Sequence, residues 1–277
     1  MRFSIVTPSY NALPWLPLCV ASVADQGVEV EHIVQDAGST DGTVEWLRNE
    51  PRVKTFVERD RGMYDAVNRG LRRAEGEILA YLNCDEQYLP GALQSVESFF
   101  HTHPDVDVLF GDFVIVDQAL RYMFHRKVQV PLKLHTWVAQ LSTGTCATFF
   151  RRRVLDDPTL YFDAELRDVG DADWVLRLLK KRVPMAALGR FTSAFMMTGE
   201  NMSTKPNAIR ELSALRASAP LLARTLKPAL VAHHRLRRLA GGMYVQRPFI
   251  YRVYTPDSPR ERVAFEASRP RFRWRTS

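Results

Sequence analysis

The stretch ILAYLNCDE, residues 78–86, decides the fold of this chain. Its first five residues are apolar throughout, which is typical of a strand covered on both faces, as in a parallel sheet. The run then stops at an amide and two carboxylates, Asn83, Asp85 and Glu86. Burying a carboxylate there is costly unless a cation or hydrogen-bond donors compensate it. Because ligands of open α/β sheets bind at the carboxyl ends of strands, we interpret Asp85 as holding a divalent metal, and through it a diphosphate.

Short strands alternate with helices on the N-terminal side of this stretch. Strands are predicted over 3–6, 32–34, 53–57 and 78–82, and apolar residues recur at helical spacing between them. Such alternation with short connections implies βαβ units and therefore a right-handed parallel sheet. Gly76 is interpreted as the glycine that ends the helix before the fourth strand.

The regular alternation of strands and helices ends after about residue 105. Longer strands are predicted over 106–116 and 144–150, without regular helices between them, and a helix is predicted over 171–182. The pattern loosens beyond Asn201. The predicted fold is therefore α/β, with a Rossmann-like, mixed but mainly parallel sheet, flanking helices and a C-terminal extension.

The charge distribution supports a division of the chain near residue 204. Residues 205–277 contain 16 Lys and Arg but only 4 Asp and Glu, whereas residues 1–204 contain 22 and 27. We therefore predict one domain over 1–204, with halves 1–104 and 105–204, followed by a basic extension. A strongly basic segment indicates an anionic partner, either lipid or nucleic acid.

Composition excludes several classes of protein. The 277 residues are 46% hydrophobic, so the chain can bury a sizeable core. Cys19, Cys84 and Cys146 are odd in number and lack CxxC spacing, which argues against a disulfide framework and a zinc site. The chain opens directly into an apolar run, and none of its apolar runs approaches the ~18 residues of a membrane span. These features favour a cytoplasmic location.

Acidic side chains follow successive strand ends. Asp36, Asp60 and Asp85 are expected to meet at one edge of the parallel sheet, and Asp171 follows later in the chain. Aspartate is also a common helix cap or turn residue. For Asp65, which stands near the start of a predicted helix, that structural interpretation remains open.

Four motifs in register resemble the family 2 glycosyltransferases of the GT-A fold, over roughly residues 1–204. They are TPSYN at 7–11, DAGSTDGT at 36–43, DRG at 60–62 with DAVNRG at 65–70, and GEILAYLNCDE at 76–86. The resemblance implies an inverting enzyme of polysaccharide biosynthesis. Such an enzyme moves a sugar from a nucleotide-diphospho-sugar to a hydroxyl of a glycan or lipid-linked glycan.

The resemblance also assigns residues to the donor site. Asp36 would accept a hydrogen bond from the base, and Asp60 and Arg61 would close around the nucleotide. Asn83 and Asp85 occupy the family's DxD positions, where Asp85 would bind Mg²⁺ or Mn²⁺. The full predicted donor set is Thr7, Pro8, Tyr10, Asn11, Asp36, Ser39, Asp60, Arg61, Asp65, Asn68, Asn83, Cys84 and Asp85.

A second acidic motif is assigned to the acceptor side. The segment DADWVLRL, residues 171–178, resembles the family motif that opens a helix beside the acceptor. Its first acid, Asp171, would be the general base. An acceptor hydroxyl must lose a proton as it attacks, and a carboxylate within hydrogen-bond reach assists that loss by roughly 10²–10⁴-fold.

Three positions depart from the family pattern. Asn83 replaces the first acid of DxD, Ala37 stands where many members carry an acid or glycine, and Thr198 stands where members often carry histidine. These departures leave a catalytically impaired nucleotide-sugar-binding protein as an alternative. A nucleic-acid-binding protein that uses the Arg-rich extension is the other alternative, although acidic strand ends would repel such a ligand, so no nucleic acid is expected.

The extension over 205–277 has three interpretations. It could lie on an anionic membrane surface, with leucines and aromatic residues such as Trp274 in the bilayer and arginines at the headgroups. In that case the protein is peripheral on the inner face of the membrane. The other interpretations are a partner-binding arm and a poorly ordered end.

Overall fold

The computed structural model describes residues 1–139, 141–197 and 206–273. The first part of the chain contains β1 (Phe3–Ser9), α1 (Leu16–Ala24), β2 (Val30–Asp36), α2 (Thr43–Arg48), β3 (Lys54–Val57), α3 (Met63–Arg73), β4 (Ile78–Tyr81), β5 (Gln87–Tyr88) and α4 (Ala92–Thr102). The second part contains β6 (Val108–Val116), β7 (Tyr122–Arg126), α5 (Lys133–Val138), β8 (Thr148–Arg151), α6 (Gly170–Lys180) and β9 (Met185–Met196). The C-terminal part contains α7 (Pro206–Ala217), α8 (Leu221–Thr225), α9 (Lys227–Ala240), β10 (Phe249–Thr255) and β11 (Ser258–Ala267).

Nine strands of the described ranges form one mixed sheet. Its order is β3-β2-β1-β4-β8-β6-β9-β5, and β7 pairs with β6. The pairs β1–β2, β1–β4, β2–β3 and β6–β9 are parallel, and the others are antiparallel. The predicted mixed α/β sheet is therefore confirmed, with its regularly parallel part in the first half of the chain.

Strand β4 lies in the middle of this sheet, as its composition predicts. It pairs in parallel with β1 and antiparallel with β8, and Ile78, Leu79 and Ala80 are completely buried. Apolar side chains on both faces are stable here because helices and the second half of the chain cover both faces. The parallel register sets Val6 opposite Tyr81, so β1 and β4 end at the same edge.

Gly76 has a different role from the predicted helix end. Helix α3 ends at Arg73, and the capping residue Ala74 has extended backbone. A Cβ atom on Gly76 would lie 2.5 Å from the backbone of Phe3 and Ser4. Glycine is required because the segment before β4 approaches β1 closely.

The second half contains elements that the sequence pattern did not reveal. Helix α5 and strand β7 lie between β6 and β8, so the prediction of no regular helix there was wrong. Helix α5 has only six residues and no side-chain cap, and it is held by packing against α6 and α9. Tertiary packing therefore decides its conformation where local signals are weak.

The described part of the extension packs on the body of the molecule. The side chain of Gln87 on β5 exchanges two hydrogen bonds with the backbone of Tyr254 on β10, at 2.9 and 2.8 Å. Arg262 on β11 forms an ion pair with Asp25 at the end of α1. Within the described residues, no helix is both long and apolar enough to span a membrane.

Candidate active site

A cavity of about 760 Å³ opens at the edge of the sheet where β1 and β4 end. Its size lies within the ~300–1,000 Å³ that is usual for small-molecule sites. Residues from the ends of β1 and β4, the loop before α3 and the start of α6 line it. Eight of the predicted site residues are among them, namely Pro8, Tyr10, Asn11, Asp60, Asn83, Cys84, Asp85 and Asp171.

A tight turn after β4 presents Asp85 to the cavity. The Glu86 carboxylate accepts hydrogen bonds from the backbone N–H of Asn83 at 2.8 Å and from its side-chain amide at 3.2 Å. Burial, together with the charge of Asp85, raises the pKa of the Glu86 carboxyl. Burial also raises the pKa of Asp85, and no Lys or Arg of the described segments pairs with it. The turn is thus fixed by Glu86, and Asp85 is a half-buried carboxylate without a cationic partner among the described residues.

Asp171 stands in the first turn of α6, on the wall contributed by the second half of the chain. Its backbone N–H donates to the Tyr64 hydroxyl at 3.1 Å, and its carboxylate accepts from the N–H of Ala172 at 2.8 Å. Burial raises the pKa of Asp171 to about 6. A pKa near the working pH is typical of a carboxylate that exchanges protons.

The end of β1 forms the rim of the cavity. The Tyr10 side chain is 64% exposed there, so its ring is accessible from the cavity. Asn11 has a positive φ of 49° and joins this rim to the loop after β2. Its backbone N–H donates to Ser39 Oγ, and its side chain accepts from the N–H of Thr40.

The Asp36 carboxylate lies beneath this rim and is completely buried. One oxygen accepts from the backbone N–H groups of Gly38 and Ser39, and the other accepts from the hydroxyls of Ser9 and Ser39. The carboxylate therefore holds the loop after β2 in shape. The neighbouring Ala37 contributes the cavity wall.

The remaining predicted donor residues make contacts within the walls. Thr7 Oγ1 is hydrogen-bonded to His32, and the side chain of Asn68 exchanges two hydrogen bonds with the backbone of Phe162. Asp65 accepts from the N–H of Arg61 and pairs with Arg69 at 2.9 Å. The exposed side chain of Arg61 pairs with Glu165 at 3.0 Å. Thr7 thus links β1 to β2, and the other three residues connect the loop before α3 and helix α3 itself to their surroundings.

Several lining residues were not predicted. Glu86 stood within the decisive stretch, and Asp168 lies three residues before Asp171, so local signals for both were present. The other unpredicted lining residues are Ser9, Ala12, Trp15, Ala37, Arg59, Gly62, Met63, Tyr64, Ala66, Tyr81, Thr145 and Phe195. Thr145 and Phe195 come from parts of the chain without a recognisable motif.

Two observations concern metal binding. Among the described residues, no group of three His, Cys, Asp or Glu side chains is arranged to hold a metal ion by itself. Thr198, which departs from the family pattern, lies outside the described residues. Any ion at Asp85 would therefore need ligands beyond the His, Cys, Asp and Glu side chains of the described residues.

The chain has the fold of the GT-A class of glycosyltransferases. Residues 4–158 match the model of the family described as Glycosyl transferase family 2. Because the match covers more than half of the 277 residues, the chain belongs to that family. The family and the enzyme class predicted from the four motifs are thus confirmed.

Curated relatives are consistent with this assignment. The uncharacterized glycosyltransferase YwdF of Bacillus subtilis is 29% identical over 222 residues, which cover 76% of this chain and 81% of YwdF. A PGL/p-HBAD biosynthesis glycosyltransferase of Mycobacterium tuberculosis is 33% identical over 128 residues. That alignment covers 43% of this chain, and the chain spans only half the length of the mycobacterial relative.

Solved structures share the fold at low identity. The Staphylococcus aureus TarS fragment 1–349 in complex with UDP-GlcNAc aligns over 87% of this chain and 73% of its own, with a TM-score of 0.62 and 21% identity. The mannosyltransferase PcManGT of Pyrobaculum calidifontis, in complex with GDP-Man and Mn²⁺, covers 87% of this chain and 79% of its own. Its TM-score is 0.56 at 16% identity. At these identities, the similarity to the two solved structures shows the fold alone.

Proposed function

We propose that this glycosyltransferase transfers a sugar, with inversion, from a nucleotide-diphospho-sugar to a hydroxyl of a glycan or lipid-linked glycan. Asp171 serves as the general base. The observation that carries the proposal is that Asp85 and Asp171, from different halves of the chain, line the same cavity. Transfer needs one carboxylate beside the leaving diphosphate and another beside the attacking hydroxyl, and these two supply that minimum.

A nucleotide-sugar is the proposed donor. TarS fragments were solved with UDP-GlcNAc and with UDP, and PcManGT with GDP-Man, which supports a nucleotide ligand in this fold. On this chain the Tyr10 ring would stack on the base, and Pro8, Asn11, Asp60, Asn83, Cys84 and Asp85 would contact the donor. Thr7, Asp36, Ser39, Arg61, Asp65 and Asn68 would act mainly by holding the loops that carry these contacts.

The residues present fit a bound Mg²⁺ or Mn²⁺. Asp85 is a half-buried carboxylate without a cationic partner in the described chain, and it would hold the ion. Mg²⁺ in such sites typically uses one or two carboxylates together with substrate phosphates and water, so it does not require a larger ligand cluster than the described residues offer. A divalent ion bound there supplies positive charge that stabilises the departing diphosphate.

Asp171 provides the proton acceptor. As the acceptor oxygen forms a bond to the anomeric carbon, the bond from that carbon to the diphosphate oxygen breaks, and the hydroxyl proton passes to the Asp171 carboxylate. Inversion results when attack comes from the face opposite the diphosphate. With a pKa of about 6, Asp171 is ionised at neutral pH yet more basic than an ordinary aspartate.

An anionic membrane surface is the proposed location of the acceptor. Leu222, Leu236 and Leu239 on α8 and α9 are 69%, 62% and 66% exposed. Arg224 and Arg235 are exposed on the same helices, and the sequence contains no Asp or Glu from residue 212 to 256. Exposed leucines beside arginines favour the interface of an anionic bilayer over bulk water.

Thermal shift with a panel of UDP- and GDP-sugars, each with and without Mn²⁺, tests the donor assignment. We expect a metal-dependent rise in the melting temperature that is lost in Asp85→Ala, because a ligand at about 100 times its Kd stabilises by about 2.7 kcal/mol. Asp105→Ala, at an exposed aspartate after α4, is the control and should keep the rise. A wild-type protein that no nucleotide-sugar stabilises under either condition would refute the assignment.

A further inference from the structure

Helix α7 of the C-terminal extension reaches the loop that leads into α6. The Glu211 carboxylate accepts hydrogen bonds from three successive backbone N–H groups of that loop. Arg167 donates to one oxygen at 3.0 Å, and Asp168 and Val169 donate to the other at 3.0 and 3.2 Å. Two residues later the chain reaches Asp171. The Glu211 side chain therefore binds the backbone of the three residues 167–169, which lead to the proposed base.

Asn207 reinforces this arrangement from one turn earlier on α7. Its side-chain amide donates to Asp168 Oδ2 at 2.6 Å and to Glu211 Oε1 at 2.7 Å. Residues four apart lie on one face of a helix, so both side chains point at the loop. The amide bridges two carboxylates that would otherwise repel each other. Although burial opposes it, the backbone donors keep the pKa of Glu211 below its ordinary value, so the group is anionic at neutral pH.

The loop is held on its other side by Tyr64. The Tyr64 hydroxyl accepts from the N–H of Asp171, and its ring stacks on Phe162 at 5.5 Å between centroids. A Cβ atom on Gly170 would lie 2.5 Å from the Tyr64 ring, so glycine allows this contact. Helix α3 of the first half and helix α7 of the extension therefore both bind the segment 167–171, from opposite sides.

We propose that Glu211 and Asn207 are positioning residues for the reaction, which hold Asp168 and Asp171 against the acceptor side of the cavity. This inference rests on the proposed role of Asp171 as the base. It makes the basic extension part of the active site, because Glu211 binds the backbone of the 167–169 loop and Asn207 binds the side chains of Asp168 and Glu211.

Loss of the Glu211 contacts should act on turnover more than on donor binding. The proposed donor contacts come from the ends of β1 and β4 and from Asp60, whereas Glu211 and Asn207 bind the cavity wall at residues 167–169. A misplacement of about 1 Å at a reacting group costs roughly 10²-fold in rate. A loosened loop would also admit water to Asp171, and its pKa would fall toward the ordinary aspartate value because burial is what raises it.

The test uses the full chain with Glu211→Ala, Glu211→Gln and Asn207→Ala. Ser213→Ala is the matched control, since Ser213 is an exposed residue of α7 whose hydroxyl bonds only within its own helix. We expect kcat to fall by about 10- to 100-fold in Glu211→Ala, with the donor KM changed by less than about threefold. The fall in kcat should be intermediate in Glu211→Gln. The glutamine keeps one carbonyl oxygen as an acceptor, but it can place its NH₂ donor opposite the NH₂ donor of Asn207.

Two further measurements separate positioning from general destabilisation. The acid limb of the pH–rate profile should move to lower pH in Glu211→Ala but not in Ser213→Ala. Hydrogen exchange of the amides of residues 167–169 should accelerate by at least about tenfold in Glu211→Ala. A loop whose exchange is unchanged, or a Glu211→Ala enzyme with wild-type kcat and an unmoved acid limb, would overturn the proposal.

The exchange measurement is independent of the chemistry. If Asp171→Asn keeps full turnover, the base assignment fails, and the inference that Glu211 and Asn207 position the base fails with it. Accelerated exchange in Glu211→Ala would then show only that Glu211 holds the loop. If Asp171→Asn is inactive while Glu211→Ala is fully active, the base assignment stands and the positioning role alone is wrong.

Discussion

The backbone N–H of Asp171 donates a hydrogen bond to the hydroxyl of Tyr64 at 3.1 Å, across 107 positions of sequence. Tyr64 lies in the first turn of α3, directly after the loop that carries Asp60, and Asp171 lies in the first turn of α6. The bond therefore joins two walls of the cavity, which are the donor and acceptor sides in the function that we propose.

Replacing Asp171 by Asn should abolish most of the transfer. The amide keeps the size and the contact to Ala172 but cannot accept the hydroxyl proton, so turnover should fall by about 10²–10⁴-fold while donor affinity stays within about threefold. Steady-state kinetics and donor titration measure both. Asp173→Asn, on the same helix and paired with Arg177, is the control and should stay near wild type. Comparable turnover in the two variants would rule Asp171 out as the base.

The pH dependence of kcat/KM should show an acid limb near pH 6. Burial raises the pKa of Asp171 to about 6, so the base is protonated and inactive below that value and ionised above it. Activity should therefore rise with pH through this window and then level off on the alkaline side, unless a second group titrates. A profile that stays flat down to about pH 4, near the ordinary value for aspartate, would contradict the assigned pKa.

The same shift predicts an effect on stability. The folded-state pKa of Asp171 lies above its unfolded value, so ionising this group costs stability as the pH rises through about 6. Asp171→Asn removes that cost, and its melting temperature should exceed that of wild type at about pH 8. The difference should disappear below about pH 4, where the aspartate is protonated in both states. Melting curves at both pH values measure it, and a variant that is less stable at each would contradict the expectation.

Tyr64→Phe should lower turnover without unfolding the protein. The substitution keeps the ring that packs against Gly170 and Phe162 but removes the acceptor of the Asp171 N–H. An unpaired buried donor costs about 1–3 kcal/mol, so we expect a modest fall in melting temperature and a drop in kcat of roughly tenfold. Tyr161→Phe, whose ring packs against Arg72, is the control. Equal kinetics in the two variants would show that the hydroxyl has no role in placing Asp171.

A double substitution, Leu236→Glu with Leu239→Glu, should weaken binding to anionic membranes. Both side chains are exposed on α9, so the change should not disturb the core. Sedimentation with vesicles containing phosphatidylglycerol, compared with pure phosphatidylcholine, measures the effect. Ile250→Glu on β10, 63% exposed but outside these helices, is the matched control. Wild-type protein that fails to sediment with the anionic vesicles would remove the membrane proposal.

The local pattern of apolar residues was sufficient to predict much of the fold in the first half of the chain. The apolar run before Asn83 predicted β4, and parallel pairing with β1 then brought Pro8, Tyr10 and Asp85 to one edge. Asp171 was assigned through the resemblance of residues 171–178 to a family motif, and it does lie in the first turn of a helix. The sequence did not predict the structural contacts of Asp36. Its carboxylate was expected to accept a hydrogen bond from the base, and in the structure it accepts hydrogen bonds from its own loop and from Ser9.

The sequence by itself determined the order of strands and helices in the first half, the carboxylates at their ends and the family to which the chain belongs. These features depend on composition and spacing within short windows. Only the tertiary structure decided that Tyr64 supports Asp171, that Glu211 binds the loop before it, and that Gln87 fastens the C-terminal hairpin. Each of these contacts joins side chains to backbone groups more than 40 positions away. No local period encodes such pairs, because they exist only once the packing of the whole domain has brought the segments together.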